Sequence, residues 1–297
     1  MEFKVALAQM SSARGDVEGN LEKMRRFVEE AAASGAEIVV FPEMCLCGYT
    51  VMDGRDFETF HKCVQSLDSP PIRKLSRLSS KSNIHIVFGA PMEDPARKGV
   101  VYNSAVLLEP DGGVHVYNKI HLPTGRYGES TFYEHMYCKP GSELKLCETR
   151  LGRIGLQVCR DYAFPEVSRA YCYAGVDVIV NISAAPATSK RFFDIILPAR
   201  ALENSSFLVY VNAVGKYGDV EFFGGSRIIN PLGETVVECK TGEEELAVGT
   251  ISLEQLRETR TRLPILKDVQ PPEFYNKLTR KILDEDCRQK TGKKGRP

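Results

Sequence analysis

The chain has no tryptophan and only five histidines in 297 residues: His61, His85, His115, His121 and His135. A cysteine–histidine arrangement that draws its histidine from a later strand finds none beyond His135. Net charge is also missing, since 39 Lys and Arg balance 39 Asp and Glu. Nothing in that balance suggests a nucleic-acid surface. The one basic stretch, residues 290–297, reads as a solvated, frayed end. No apolar run approaches the roughly 20 residues of a membrane span. No export signal is legible, and the nine cysteines are odd in number and lack the spacing of a secreted scaffold. They read as reduced thiols of a cytoplasmic protein. Cys45-Leu46-Cys47 is the only close pair, and without a second pair it makes no zinc site. A phosphate-binding loop, a dinucleotide glycine fingerprint and a two-histidine zinc helix are all missing, so no metal and no cofactor is expected.

What is present is an ordinary globular composition, 43% hydrophobic and 26% charged. Apolar runs at 3–10, 37–41 and 84–89 predict buried strands. Residues 17–34 carry Leu21, Met24, Phe27, Val28 and Ala31 on one helical face, with Gly35 as the stop. Pro70-Pro71 opens a helix that runs to 82, and 101–108 and 114–119 form a hairpin around Asp111-Gly112-Gly113. Strands at 144–147 and 154–158, a helix at 165–174, a strand at 178–181 and a helix at 191–206 follow. Strands at 207–213, 226–230, 235–238 and 246–251 complete the pattern. This alternation gives an α/β chain with a mixed sheet. With no linker in view, residues 1–280 form one domain and 281–297 a flexible basic tail.

Three segments carry chemistry. The run Ile154 to Val158 ends at Cys159, and Phe164-Pro165-Glu166 opens a helix. A cysteine at such a strand-to-helix elbow is presented to solvent, and helix N–H groups favour its thiolate. Glu37 to Phe41 ends in Pro42-Glu43, a carboxylate at the C-terminal edge of a strand, where α/β sheets build sites. Lys119 closes an alternating strand before Pro123. Taken singly, each has a plainer reading: a small buried thiol, a solvated loop carboxylate, an exposed strand lysine.

Taken together, the segments resemble the carbon–nitrogen hydrolase family, the nitrilase superfamily. Gln9, Phe41-Pro42-Glu43, Tyr117-Asn118-Lys119-Ile120-His121-Leu122, Glu134 with Pro140-Gly141, and the cysteine elbow occur in that family's order. Asn181-Ile182-Ser183-Ala184-Ala185, Arg200-Ala201-Leu202-Glu203-Asn204, Val211-Asn212-Ala213 and Gly225-Ser226 continue it. The resemblance implies a four-layer α-β-β-α sandwich with two mixed sheets. It also implies association into a homodimer or larger homo-oligomer. Residues 263–275 resemble the C-terminal arm that crosses to a neighbouring subunit in relatives.

The same resemblance assigns roles. Cys159 is the nucleophile that forms a thioester. Glu43 is the general base and acid. Lys119, with a backbone N–H such as that of Arg160, stabilises the oxyanion. Glu134 holds Lys119; Glu129 competes for that role, because the interval after Lys119 is longer than in many relatives. Tyr49, Phe132, Tyr133, Arg160, Ser183, Ala184 and Arg191 are candidate substrate contacts, with Arg160 or Arg191 able to hold a carboxylate. Nitrilases carry Trp-Glu after the cysteine, where this chain has Arg160-Asp161, so an amide is favoured over a nitrile. The expected substrate is a small amide, and a carbamoyl amine or amino acid is the next alternative. An acyltransferase, or a binding protein without catalysis, would share the fold.

Overall fold

The computed structural model describes residues 1–49, 57–127, 130–217 and 220–292. The first sheet begins with β1 (Glu2–Gln9), β2 (Ile38–Val40) and β3 (His85–Glu93), which run parallel. Antiparallel strands β4 (Val101–Leu108) and β5 (Val114–Asn118) extend it. Two hairpin strands follow in the chain, β6 (Thr124–Tyr127) and β7 (Ser130–Tyr133). The second sheet starts with β8 (Leu146–Thr149), antiparallel to β9 (Gly152–Val158). Beside β9 lie β10 (Val178–Ser183) and β11 (Phe207–Asn212), both parallel to it. A second hairpin, β12 (Val214–Tyr217) and β13 (Val220–Phe223), precedes β14 (Arg227–Ile229) and β15 (Thr235–Glu238). The last strand, β16 (Glu245–Ser252), returns to pair with β1. Each sheet has six strands, in orders β16-β1-β2-β3-β4-β5 and β8-β9-β10-β11-β14-β15. Read in those orders, the two share one pattern of parallel and antiparallel neighbours, so the molecule is built from two like halves.

Alternation along each strand builds the layers. Val5, Leu7, Val40 and Val87 of the first sheet join Leu156, Val158, Val180 and Val209 of the second in one core between the sheets. The neighbouring residues Ala6, Ala8, Val39 and Phe88 point the other way, onto helices α1 (Val17–Ala33) and α3 (Pro70–Ser82). Chain order places the short α2 (Phe57–Cys63) between those two and α4 (Glu134–Tyr137) after the β6–β7 hairpin. On the far side of the second sheet, α5 (Pro165–Tyr173) and α6 (Lys190–Asn204) bury Val167, Phe193 and Leu197. Strands covered on both faces read as continuous apolar runs, which is why they were legible. The architecture is the α-β-β-α sandwich.

Several elements depart from the pattern. The strand expected at 144–147 starts at Leu146. Both short hairpins, α2, and helices α7 (Leu253–Arg262) and α8 (Ile265–Asp268) are too short or too polar to announce themselves. The segment read as a flexible tail is helical through Gly292, because α9 (Pro272–Gly292) runs through a stretch of good helix formers from Lys277 onward. No helix among the described residues is long and apolar enough to cross a membrane.

Candidate active site

The C-terminal ends of β2, β5, β9 and β10 meet at one edge of the sandwich. Glu43 follows β2 and is buried. Its backbone lies against Gly89 of β3, where a Cβ would come within 2.6 Å of the Glu43 Cα, so only glycine admits this approach. Lys119 follows β5 and is fully buried, its N–H donating to the carbonyl of Asn103 on β4 at 2.8 Å. Gly141 seats against the same strand end, its N–H donating to the Lys119 carbonyl at 2.8 Å.

Lys119 Nζ donates to Glu43 Oε1 and to Glu134 Oε1, each at 2.7 Å. The Tyr49 hydroxyl also donates to Glu134 Oε1. Asn103 Nδ2 donates to Glu43 Oε1 at 2.6 Å and to Glu134 Oε2 at 3.4 Å. The backbone N–H of Ala184 donates to Glu43 Oε2 at 2.8 Å. Two carboxylates thus share one ammonium in a site closed to water. Burial pushes the Glu134 carboxyl up, and the neighbouring Glu43 charge pushes it further, against the pull of Lys119. Burial works against the charged form of Lys119, but Glu134 and Glu43 outweigh it and hold the ammonium above its ordinary pKa.

Cys159 takes φ +42, a conformation uncommon outside glycine, as the chain leaves β9 for a 3₁₀ turn, Cys159–Ala163. The turn is pinned by buried Asp161. Its carboxylate accepts from the Val158 N–H at 3.1 Å, the Tyr117 hydroxyl at 2.7 Å and the His121 N–H at 2.9 Å, with His121 Nδ1 also at 2.9 Å. His121 stacks on Phe164 with centroids 3.6 Å apart. The elbow is therefore tied directly to the strand end that carries Lys119. Burial pushes the Cys159 thiol well up, the Glu43 charge adds to it, and Lys119 opposes. The helix expected to lower this pKa begins only at Pro165, after the 3₁₀ turn, so the thiolate assistance read from the sequence is not delivered by α5.

A cavity of about 560 Å³ opens over Cys159. Its walls include Phe132, Tyr162, Phe192, Phe193 and Ile196, and its charged lining residues are Arg126 and Arg160. A larger surface cleft of about 630 Å³, lined by Asp94, Arg97, Tyr102 and Lys145 among others, reaches none of the four catalytic candidates. The chemistry and not the size selects the smaller cavity.

A family model described as carbon–nitrogen hydrolase matches residues 4–261. The chain belongs to the carbon–nitrogen hydrolase family. It is 29% identical over 281 residues to a probable nitrilase of Schizosaccharomyces pombe, covering 94% of this chain and 99% of that one. The human omega-amidase is 29% identical over 278 residues, covering 89% of this chain and 94% of the relative. Among solved structures, a carbon–nitrogen hydrolase superfamily protein of Xanthomonas campestris, with an arsenic adduct in its active site, superposes with TM-score 0.79. The two are 26% identical, and the match covers 91% of this chain and 98% of the other. The protein is an enzyme acting on C–N bonds.

The structure brings Glu43, Lys119 and Glu134 into direct contact, facing Cys159. Glu129 lies outside the described residues. Of the expected substrate contacts, Phe132 and Arg160 line the cavity, with the Arg160 guanidinium 5.9 Å from the Phe164 ring centroid. Tyr49, Ser183 and Ala184 are not among the described residues that line this cavity. Tyr49 braces Glu134, Ala184 gives its N–H to Glu43, and the Ser183 hydroxyl donates to Asn181 Oδ1 at 2.8 Å. Ser183 also hydrogen-bonds the Cys159 thiol, and its carbonyl accepts from the Glu43 N–H at 3.4 Å. Tyr133 packs into the small core around Tyr49 and Phe60. Arg191 is exposed on α6 and is not among the described lining residues; the helix presents Phe192, Phe193 and Ile196 to the cavity instead. Sequence reasoning missed Arg126, Tyr162 and Asn103. Only Asn103 left a signal, a polar residue inside the apolar run of β4.

Proposed function

We propose that the enzyme hydrolyses small carboxamides through a thioester on Cys159, and that its substrates carry an anionic group at the end remote from the amide. The arrangement of Glu43, Lys119 and Glu134 against the elbow thiol carries this reading. Because the thiol is pushed up, Cys159 holds its proton until attack. Glu43 Oε1 is occupied by Lys119 and Asn103, and Oε2 by a single backbone N–H, leaving Oε2 a lone pair for the thiol proton. Sulfur bonds to the carbonyl carbon as Glu43 takes that proton. Lys119 Nζ has three N–H donors and spends two on the glutamates, which leaves the third for the oxyanion. The C–N bond breaks as Glu43 returns the proton to nitrogen, releasing ammonia. Water then adds to the thioester with Glu43 as base, the C–S bond breaks, and the thiol recovers its proton.

The cavity supports the substrate class. Its described lining holds two guanidinium groups and no carboxylate, over mostly apolar walls. That suits a short apolar acyl chain ending in a carboxylate. Arg160-Asp161 after the cysteine, in place of the nitrilase pair, favours amides, as does the likeness to an omega-amidase.

The test is ammonia release by wild type and Cys159→Ala across ω-amides of dicarboxylic acids, matched neutral amides, carbamoyl amines and nitriles. Cysteine-dependent release that favours the carboxylate-bearing amides, lost selectively in Arg160→Met, is the expected result. Preference for nitriles, carbamoyl amines or neutral amides overturns the proposed substrate.

A further inference from the structure

Glu43, Lys119, Glu134 and Asn103 form a closed ring of hydrogen bonds. Lys119 Nζ bridges the two carboxylates on one side, and Asn103 Nδ2 bridges them on the other. All four side chains are buried. Two carboxylates and one ammonium leave the ring one negative charge in excess. The Asn103 amide adds two N–H donors without adding charge. Its orientation is set by chemistry: turning the amide would aim Oδ1 at both carboxylates. In the arrangement present, Oδ1 is instead left buried with no hydrogen-bond partner. The side chain gives up its own acceptor to put both donors on the glutamates.

We propose that Asn103 is a positioning residue that keeps Glu43 correctly aimed, by preventing the two glutamates from sharing a proton. It rests on the reading of Glu43 as the base. Side by side in a closed site, two carboxylates lower their repulsion by binding one proton between them. A proton held there would occupy the group that must accept the thiol proton. Among the described residues, the other titratable groups facing the pair are Lys119 at the end of β5, Tyr49 before α2, Cys138 after α4 and Cys159 at the elbow. Of these, only Lys119 favours ionised carboxylates through its charge, and it cannot cover Glu134 Oε2, which Asn103 does. Asn103 is not among the described residues that line the cavity.

The experiment compares wild type, Asn103→Leu and Asn103→Ser by kcat, KM and the pH dependence of kcat/KM. In Asn103→Leu, kcat near neutral pH should fall about tenfold or more while KM stays within about twofold. A donor to the charged form is lost, so carboxylate pKa values rise. The acid limb of kcat/KM should therefore move up by about half a pH unit or more. Asn103→Ser keeps one donor and should fall between the other two. If Asn103→Leu does not fold, the serine variant carries the test with the same expected directions. A wild-type kcat, or a lower kcat with the acid limb unmoved, overturns the proposal, since a structural role alone lowers activity at every pH. Folding stability against pH is a readout that needs no substrate: the loss of stability with rising pH should extend to higher pH in both variants. If no amide is turned over even by wild type, the amidase reading fails. The stability curves then still decide whether Asn103 prevents the two glutamates from sharing a proton.

Discussion

Lys119 Nζ lies 2.7 Å from Glu43 Oε1, and neither side chain reaches solvent. With Glu134 at the same distance, the lysine is, among the described residues, the sole compensating cation on the two carboxylates. Replacing it with methionine, Lys119→Met, removes that cation and keeps the bulk. Breaking a buried pair in this way typically costs about 3–5 kcal/mol. The sign of the pH dependence follows from the carboxylates. Glu134 is already raised from 4.5 to about 7, so its folded state loses stability as pH rises through that window. Without Lys119 its lowering pull is lost, and the Glu134 carboxyl rises further. The variant should come closest to wild type near pH 5 and be weakest above pH 7. Urea denaturation at several pH values measures this, and a loss that does not vary with pH would show that the lysine is not compensating the glutamates.

Glu43 plays two opposed parts toward the thiol. Its charge raises the Cys159 pKa, and it is the proposed acceptor of the thiol proton. Glu43→Gln separates them. Turnover should fall by roughly 10²–10⁴, the usual worth of general acid–base catalysis. The thiol should become more acidic, so alkylation of Cys159 by iodoacetamide near pH 8 should speed up. Mass spectrometry of the Cys159 peptide reads the rate apart from the other cysteines. Alkylation that slows in step with turnover would contradict the electrostatic half of this account.

How much of this was legible depended on which residues had local signatures. The sandwich strands announced themselves because both faces are buried, and Cys159 and Glu43 stand where apolar runs stop. Lys119 was placed by its neighbours Tyr117 and His121, both of which bond Asp161. Residues acting through tertiary contacts left little trace. Tyr49 looks like a pocket aromatic but spends its hydroxyl on Glu134. Arg191 and Phe192 are adjacent in sequence, yet only Phe192 faces the cavity, because α6 turns about 100° between successive residues. Arg126 sits in a hairpin of two four-residue strands, too short for a period to show.

Gly141 shows how a residue with no chemistry can set the position of one that has it. A Cβ there would come within 2.1 Å of the Asn118 carbonyl oxygen, a backbone atom one residue before Lys119. Gly141 needs no unusual backbone angle, so the constraint is space alone. Gly141→Ala must push the end of β5 aside or lose the hydrogen bond to the Lys119 carbonyl. Overpacking of this kind costs about 1–3 kcal/mol of stability. The larger effect should be on rate, since a shift of about 1 Å in a catalytic group can cost on the order of 10²-fold. Thermal unfolding and kcat, measured together, check the split. A folded Gly141→Ala enzyme with kcat within about twofold of wild type would mean that the strand end yields without moving Lys119.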